Sequence, residues 1–324
     1  MNEVPVISVI IPTYQRRDVV VETVSALGRC TAAGPFEVIV AVDGSTDGTA
    51  DALAALDLEC TLIVIEQANQ GAAAARNTGA CRASGKLLLF IDDDMIADPQ
   101  LLTAHVRRQA REPGVVLGHI PVHPSSPRTV ISEALSRWVS QRTERLTQPG
   151  VRPEPGDWLS GQFSIPRADF ERLEGFDAAM NREGRFGGED TDFFHRAHLA
   201  GIAFTFAPDA ISWQLYVVTP ESNLRQWREG GASDAFLVRK HPALLSAIES
   251  LHRGDVLLGK ASRYLLAWPV VRQNAMRVTS PRVAALAGRH PSNRVVGRAF
   301  VAYRQLEYWA GVADAGGLDL PARR

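Results

Sequence analysis

Lys86-Leu87-Leu88-Leu89-Phe90-Ile91-Asp92-Asp93-Asp94 is an apolar run that stops on three adjacent carboxylates. Its length and unbroken apolar character fit a strand buried on both faces, as in a parallel sheet covered by helices. The same grammar recurs upstream. Val6-Ile7-Ser8-Val9-Ile10-Ile11 ends at Pro12-Thr13-Tyr14, and Phe36–Val42 ends at Asp43-Gly44-Ser45-Thr46-Asp47-Gly48-Thr49. Thr61-Leu62-Ile63-Val64-Ile65 precedes Asn69-Gln70-Gly71. Helices are predicted between these runs: one capped by Asp18 and reaching about Gly28, one ending near Leu56, and an alanine-rich one over 72–83. Asp98-Pro99 opens another. The alternation predicts an α/β fold with a Rossmann-like, mainly parallel sheet flanked by helices. Ligands bind such sheets beyond the C-terminal strand ends. Thr13, Asp43 and Asp92–Asp94 all fall there.

Three carboxylates at a strand end are costly unless a cation neutralises them. Oxygen-only ligands suit a hard divalent ion, Mg²⁺ or Mn²⁺, which usually also holds substrate phosphates. Taken alone, such a run is as often a solvated turn. A second acidic cluster, Gly187-Gly188-Glu189-Asp190-Thr191-Asp192, offers a carboxylate pair of the kind used for general-base work. It also opens a predicted helix closed by Gly201, where carboxylates favour the dipole. A metal–phosphate site plus a base points to group transfer from a phosphate-activated donor. Neither Gly-x-Gly-x-x-Gly after the first strand nor Gly-x-x-x-x-Gly-Lys-Ser/Thr occurs, so phosphate handling falls to metal, arginine or helix termini. Arg76, on the alanine-rich helix, is the candidate arginine.

The chain has 324 residues and a net charge of −1, so nothing global points to nucleic acid. Three cysteines, Cys30, Cys60 and Cys81, lack metal spacing and fit a reducing compartment. No signal peptide or membrane-spanning run is legible. The expected location is cytoplasmic, including the inner face of the membrane. A catalytic domain is expected over 1–218 and a helical extension over 219–324.

These residues resemble a family 2 inverting glycosyltransferase of the GT-A fold. The resemblance covers roughly residues 6–214. It rests on Ser8–Tyr14, Val42–Thr49, Asn69-Gln70-Gly71 with Ala75-Arg76-Asn77-Thr78-Gly79-Ala80, and Phe90–Asp94. It closes with Gly175-Phe176-Asp177 and Gly187–Asp192. Each piece is weak, but their order and spacing are specific. The resemblance implies a nucleotide-sugar donor, with Pro12, Thr13 and Asp43 against the nucleoside and Arg76 and Asp93 near the donor. Asp92 and Asp94 would form the Asp-x-Asp element that holds the metal, with Asp92 also near the ribose. Asp190 would be the base and Glu189 an orienting residue. Ser160-Gly161-Gln162-Phe163-Ser164 matches a segment lining the sugar pocket, so Gly161 and Gln162 are substrate candidates. Trp158 is a candidate for stacking on a sugar ring, although core packing is the commoner fate of such a residue. The acceptor would be a saccharide, lipid-linked or small-molecule hydroxyl, as in polysaccharide, glycolipid or envelope glycan synthesis.

Two departures from the family pattern stand out. Val42 replaces the first acid of Asp-Asp-Gly-Ser, and Gln214 stands near the place of a metal-assisting histidine. Residues 119–158 are rich in proline around one predicted helix, 130–145, and His119 and His123 are not expected to form a metal pair. The C-terminal part, 240–324, has 13 Lys+Arg against 5 Asp+Glu. Apolar residues recur at helical spacing there, around Val256-Leu257-Leu258, Tyr264-Leu265-Leu266 and Trp268, and again over 295–310. Such basic helices either pack on the catalytic domain or contact an anionic membrane surface. Rival readings are a sugar-phosphate nucleotidyltransferase and a non-catalytic nucleotide-sugar binding module. The first lacks its Gly-rich basic loop after the first strand, and the two acidic clusters speak against the second.

Overall fold

The computed structural model describes residues 4–32, 34–180, 187–251 and 269–317. The predicted apolar helix around Val256–Trp268 lies outside them. The chain divides into two compact units. The first comprises Met1–Ser126, Ser136–Arg182 and Glu189–Tyr216, and the second Pro127–Leu135, Glu183–Gly188 and Val217–Arg324.

The first unit is built on an eight-stranded sheet. Strands β1 (Ile7–Thr13), β2 (Phe36–Asp43), β3 (Thr61–Gln67) and β4 (Leu87–Ile91) pair in parallel in the order β3-β2-β1-β4. Every residue of β1 and β4 is buried, which is why neither run alternates. The chain first winds from β1 toward β3, then crosses to β4 on the other side. That reversal leaves a crevice above β1 and β4.

Beyond β4 the sheet is mixed. The strand β7 (Gln162–Pro166) lies antiparallel to β4 and to β6 (Val115–His119). The long β8 (Phe204–Gln214) runs parallel to β6, and its end pairs antiparallel with the short β5 (Met95–Ala97). Four of the seven strand pairings are thus parallel, the three among the first four strands and the one between β6 and β8, and the antiparallel pairings all lie beyond β4. A strand that follows a long irregular segment is not bound to the βαβ crossover that enforces parallel pairing.

Helices α1 (Arg17–Leu27), α2 (Thr49–Ala54), α3 (Ala72–Arg82) and α4 (Leu101–Arg111) follow the first four strands. Asp18 sits in the first turn of α1, while Arg16 holds the cap position without a capping side chain. Helix α5 (Val130–Leu146) interrupts the proline-rich stretch, and α6 (Arg167–Arg172) and α7 (Glu189–Leu199) follow β7.

An aromatic cluster positions α7. Phe90, Phe163, Phe170, Phe176 and Phe193 pack ring to ring, the closest pair being Phe176 and Phe193 with centroids 4.6 Å apart. Offset and edge contacts of this kind add to area burial. A second lock ties α3 to the same region. Asn77 Nδ2 donates to the Phe176 carbonyl at 2.8 Å, and the Phe176 N–H donates to Asn77 Oδ1 at 2.9 Å. Gly175 has φ of +67°, and a Cβ there would lie 2.6 Å from Asn77 Oδ1. Glycine at this turn is thus required twice, by backbone and by space.

The second unit is helical, with α8 (Pro220–Lys240), α9 (Leu245–Leu251), α10 (Pro269–Arg289) and α11 (Arg294–Asp314). Helices α8 and α11 approach backbone to backbone at Gly231 and Gly311, where any Cβ would strike the carbonyls of Tyr308 and Arg228. Asp314 accepts from Arg228 and Arg272, both at 2.6 Å, and Tyr308 donates to Asp234 at 2.7 Å.

Candidate active site

The strand β4 ends on the acidic run, and the three carboxylates take different directions. Asp92 stays closest to solvent, with 34% of its side chain exposed, and its Oδ1 accepts from Arg76 Nη2 at 2.9 Å. Its N–H donates to the Gly161 carbonyl at 3.0 Å. Asp93 turns inward, where its oxygens accept from Thr13 Oγ1 and Arg16 Nη1, both at 2.8 Å. Its carbonyl accepts from Thr23 Oγ1 at 2.7 Å. Burial pushes the Asp93 carboxyl up to about 7, against the pull of Arg16. Asp94 is buried as well. Its Oδ2 faces Arg16 Nη2 at 3.3 Å and Gln214 Nε2 at 3.5 Å, while Oδ1 is buried with no hydrogen-bond partner. Burial and then the Asp92 charge raise its pKa.

Arg76 joins this cluster to the second one. Its guanidinium is buried, and Nη1 donates to Glu189 Oε1 at 3.0 Å while Nη2 holds Asp92. The Phe176 ring lies 5.4 Å from the guanidinium carbon. Glu189 and Asp190 open α7, as expected from the sequence. Asp190 Oδ1 accepts from the Thr191 N–H at 2.8 Å, and Oδ2 faces Ser160 Oγ at 3.5 Å. Burial, then repulsion from Glu189, raises its carboxyl well above the ordinary range. Five carboxylates meet two guanidiniums here, Arg16 and Arg76. Burial is the main cause of the raised carboxyl pKa values, repulsion among the acids adds to it, and an added cation would relieve that repulsion.

The expected donor residues divide into two groups. Pro12 and Thr13 lie buried at the end of β1, and Thr13 is spent on Asp93. Asp43 is 3% exposed and accepts from Gln67 Nε2, the Gln70 N–H and the Gly71 N–H at 2.7, 2.9 and 2.8 Å. It therefore shapes the turn that launches α3 and, through α3, sets Arg76. The polar loops after β1 and β2 are joined by Gln15, whose N–H donates to Ser45 Oγ at 2.9 Å and whose Nε2 donates to Thr46 at 2.9 Å.

Three expectations change. Trp158 is 5% exposed, with its ring stacked on Phe204 at 5.3 Å and beside Phe194 and His198, so it packs the core and has no free face for a sugar. Gln162 is 1% exposed and faces the sheet interior. Its amide bonds His105 at 3.0 Å, the Ala210 carbonyl at 2.9 Å and Ser212 at 3.0 Å, which leaves nothing for a substrate. Asp93 is a buried brace for Thr13 and Arg16 rather than a direct donor contact. Gly161, one residue before Gln162, does reach the site: a Cβ there would meet Asp92 Oδ2 at 3.2 Å.

Arg16 is an addition that sequence reading missed, and Ser160, quoted there only as part of its segment, comes to face Asp190. Arg16 spans Asp93 and Asp94 while keeping 41% of its side chain exposed. The signal available was the charge imbalance itself, since three clustered aspartates require a cation and Arg16 lies just past the neighbouring strand end.

Among the described residues, no group of three or more His, Cys, Asp or Glu is arranged to hold a metal. The orphaned Asp94 Oδ1, with the amide of Gln214 nearby, nonetheless fits a hard cation of the Mg²⁺ or Mn²⁺ type. Such an ion commonly takes one or two carboxylates and completes its shell with water and substrate phosphates.

A family model described as Glycosyl transferase family 2 matches residues 8–164, and one described as the N-terminal domain of galactosyltransferase matches 146–216. Validoxylamine A glucosyltransferase of Streptomyces hygroscopicus subsp. jinggangensis is 31% identical over 279 residues, covering 75% of this chain and 63% of the relative. The glycosyltransferase YfnE of Bacillus subtilis, itself uncharacterized, is 34% identical over 63% of each chain. The chain thus spans somewhat less than two thirds of the length of these relatives. The mannosyltransferase PcManGT from Pyrobaculum calidifontis, solved with GDP-Man and Mn²⁺, shares the fold at TM-score 0.61 and 19% identity, over 97% of this chain and 87% of its own. TarS 1-349 of S. aureus, solved with UDP, matches at TM-score 0.52 and 17% identity, over 96% of this chain and 91% of its own. Both family models fall largely on the unit that carries Asp92–Asp94 and Glu189–Asp190, and this catalytic region of the chain belongs to glycosyl transferase family 2.

Proposed function

We propose that the chain transfers a sugar from a nucleoside-diphosphate donor to an acceptor hydroxyl with inversion at the anomeric carbon. The observation that carries this reading is Arg76, which binds Asp92 and Glu189 at once and so draws the strand-end cluster and the α7 cluster into one site. Asp94 and Asp92 would hold a Mg²⁺ or Mn²⁺ ion, which would supply Lewis acidity to the departing diphosphate. The solved relatives of this fold that hold GDP-Man with Mn²⁺ and UDP support a donor of this class.

The chain's own groups supply the rest. Asp190 takes the proton from the acceptor hydroxyl. Its raised pKa brings it nearer neutral pH, where a carboxylate is a more effective base. Glu189 orients the sugar while Arg76 holds Glu189 in place. The loops after β1 and β2 receive the nucleoside. The first of them carries Arg16, whose exposed guanidinium can turn toward the diphosphate. One base and no enzyme nucleophile give a single displacement, hence inversion. The acceptor class is a saccharide or a lipid-linked or small-molecule glycoside of glycan synthesis.

The test is a panel of nucleotide sugars assayed with and without Mn²⁺ for nucleoside diphosphate release and for acceptor-dependent product. Metal-dependent release from one donor class, with product of inverted configuration, is expected. Release with retained configuration would overturn the mechanism, and no binding of any nucleotide sugar would overturn the function.

A further inference from the structure

Helix α10 has an outer face with no partner among the described residues. Its inner stripe, Arg272, Met276, Ala284 and Ala287, is buried in the helical unit. At 100° per residue, the opposite side is centred on Val271, Val278 and Ala285, one heptad apart. Val270, Val271, Val278 and Leu286 are 71%, 51%, 50% and 47% exposed. Arg277, Arg282 and Arg289 are interleaved with them, also exposed, and none forms an ion pair with a described residue. The next turn and the start of α11 continue the pattern with exposed Arg294, Val295 and Arg298. From 269 to 306 the chain holds seven arginines and no Asp or Glu.

This combination is specific. A solvated helix face of a protein usually mixes both signs of charge. A face built to pack on another protein core usually excludes unpaired arginines. Aliphatic side chains set among arginines, with no carboxylate to neutralise them, fit a surface that is negatively charged outside and apolar beneath. Arginine stems lie along apolar surface while their heads stay at the charged layer.

We propose that this face of α10 docks on an anionic lipid bilayer, with Val271 and Val278 at its centre entering the headgroup–acyl boundary, Leu286 and Arg277 at its two opposite edges, and Arg282 and Arg289 facing lipid phosphates. The contact is peripheral, because among the described residues no helix is long and apolar enough to cross a membrane. It stands apart from the glycosyltransfer reading, since its test measures no sugar transfer and either can fail alone.

The experiment is co-sedimentation of the full chain with vesicles of pure phosphatidylcholine and of phosphatidylcholine mixed with phosphatidylglycerol. Binding is expected to the mixed vesicles only, and to weaken with salt. The variant R277Q/R282Q/R289Q should lose about 100-fold in partitioning, at roughly fivefold per arginine. The variant V271S/V278S/L286S should also bind more weakly while keeping its circular dichroism, since all three side chains are exposed. If the wild type stays in the supernatant, or the arginine variant sediments like the wild type, the proposal is overturned. If the serine variant binds as well as the wild type and heparin competes fully, the face is a polyanion site and the lipid assignment is overturned.

Discussion

Arg76 and Glu189 stand 113 residues apart in sequence and meet in a buried ion pair at 3.0 Å. The same guanidinium holds Asp92, so one side chain carries the electrostatic balance of the site. Removing it strands two carboxylates in a largely dehydrated place. Arg76→Met should cost about 3 kcal/mol of stability, the scale for breaking a buried pair by deleting one partner. Urea unfolding measures this. Arg76→Lys should recover part of the stability and little of the transfer, because one ammonium cannot serve both acids with the geometry of the fork. Full transfer activity in Arg76→Lys would refute the two-point role.

Asp190→Asn keeps the shape of the α7 start and removes the proton acceptor. Transfer should fall ~10²–10⁴-fold while donor binding, measured by calorimetry, stays near the wild-type value. The wild-type rate should rise with pH as Asp190 loses its proton, and because burial and Glu189 raise that pKa, the rise comes above the ordinary carboxylate range. The residual rate of the variant should lack this limb. If the variant keeps normal turnover and Glu189→Gln is inactive, the base is Glu189.

Asp94 and Arg16 give a paired test of the cation. Asp94→Ala removes the orphaned oxygen and should abolish Mn²⁺-dependent binding of a nucleoside diphosphate without unfolding the chain. Arg16→Gln removes a competing positive charge from Asp93 and Asp94 and should tighten Mn²⁺ binding measured without nucleotide. Unchanged Mn²⁺ affinity in both variants would place the ion elsewhere.

His105 predicts an acid limb of stability. It is fully buried between Ser164 Oγ at 2.9 Å and Gln162 Nε2 at 3.0 Å, and burial lowers its pKa from 6.5 to about 3. Since Gln162 Nε2 donates, His105 Nε2 accepts and Nδ1 carries the proton toward Ser164. Between these two values the unfolded chain binds a proton that the folded chain refuses. Stability is therefore greatest above 6.5 and falls as pH drops toward 3, by at most about 1.4 kcal/mol per pH unit for one proton. His105→Asn keeps a donor for Ser164 and cannot titrate. Its unfolding free energy should be lower near neutral pH and flatter in acid, and a slope equal to that of the wild type would refute the assignment.

The strands before Asp92 were legible because burial on both faces writes itself as a continuous apolar run, whatever the neighbours are. The two acidic clusters were legible for a related reason: carboxylates at a strand end and at a helix start are defined by local chain position. What lay beyond reach were the quantities set by pairing between distant segments. β7 could be read as a strand region near the site, but only its antiparallel register with β4, Gln162 opposite Ile91, turns Gln162 inward and leaves Gly161 beside Asp92. In a pleated strand, neighbouring residues face opposite sides, so a shift of one position exchanges a ligand for a core residue. Trp158 went to the core because Phe194 and Phe204 arrive there from two other elements. Arg16 and Arg76 likewise gained their partners only when α3, α7 and the ends of β1 and β4 came together. The sequence by itself determined which strands form, where they end and which charges gather at those ends. The tertiary structure alone decided which oxygen each guanidinium takes and which one, on Asp94, is left open, because those choices depend on distances of a few ångströms between segments that sequence order does not constrain.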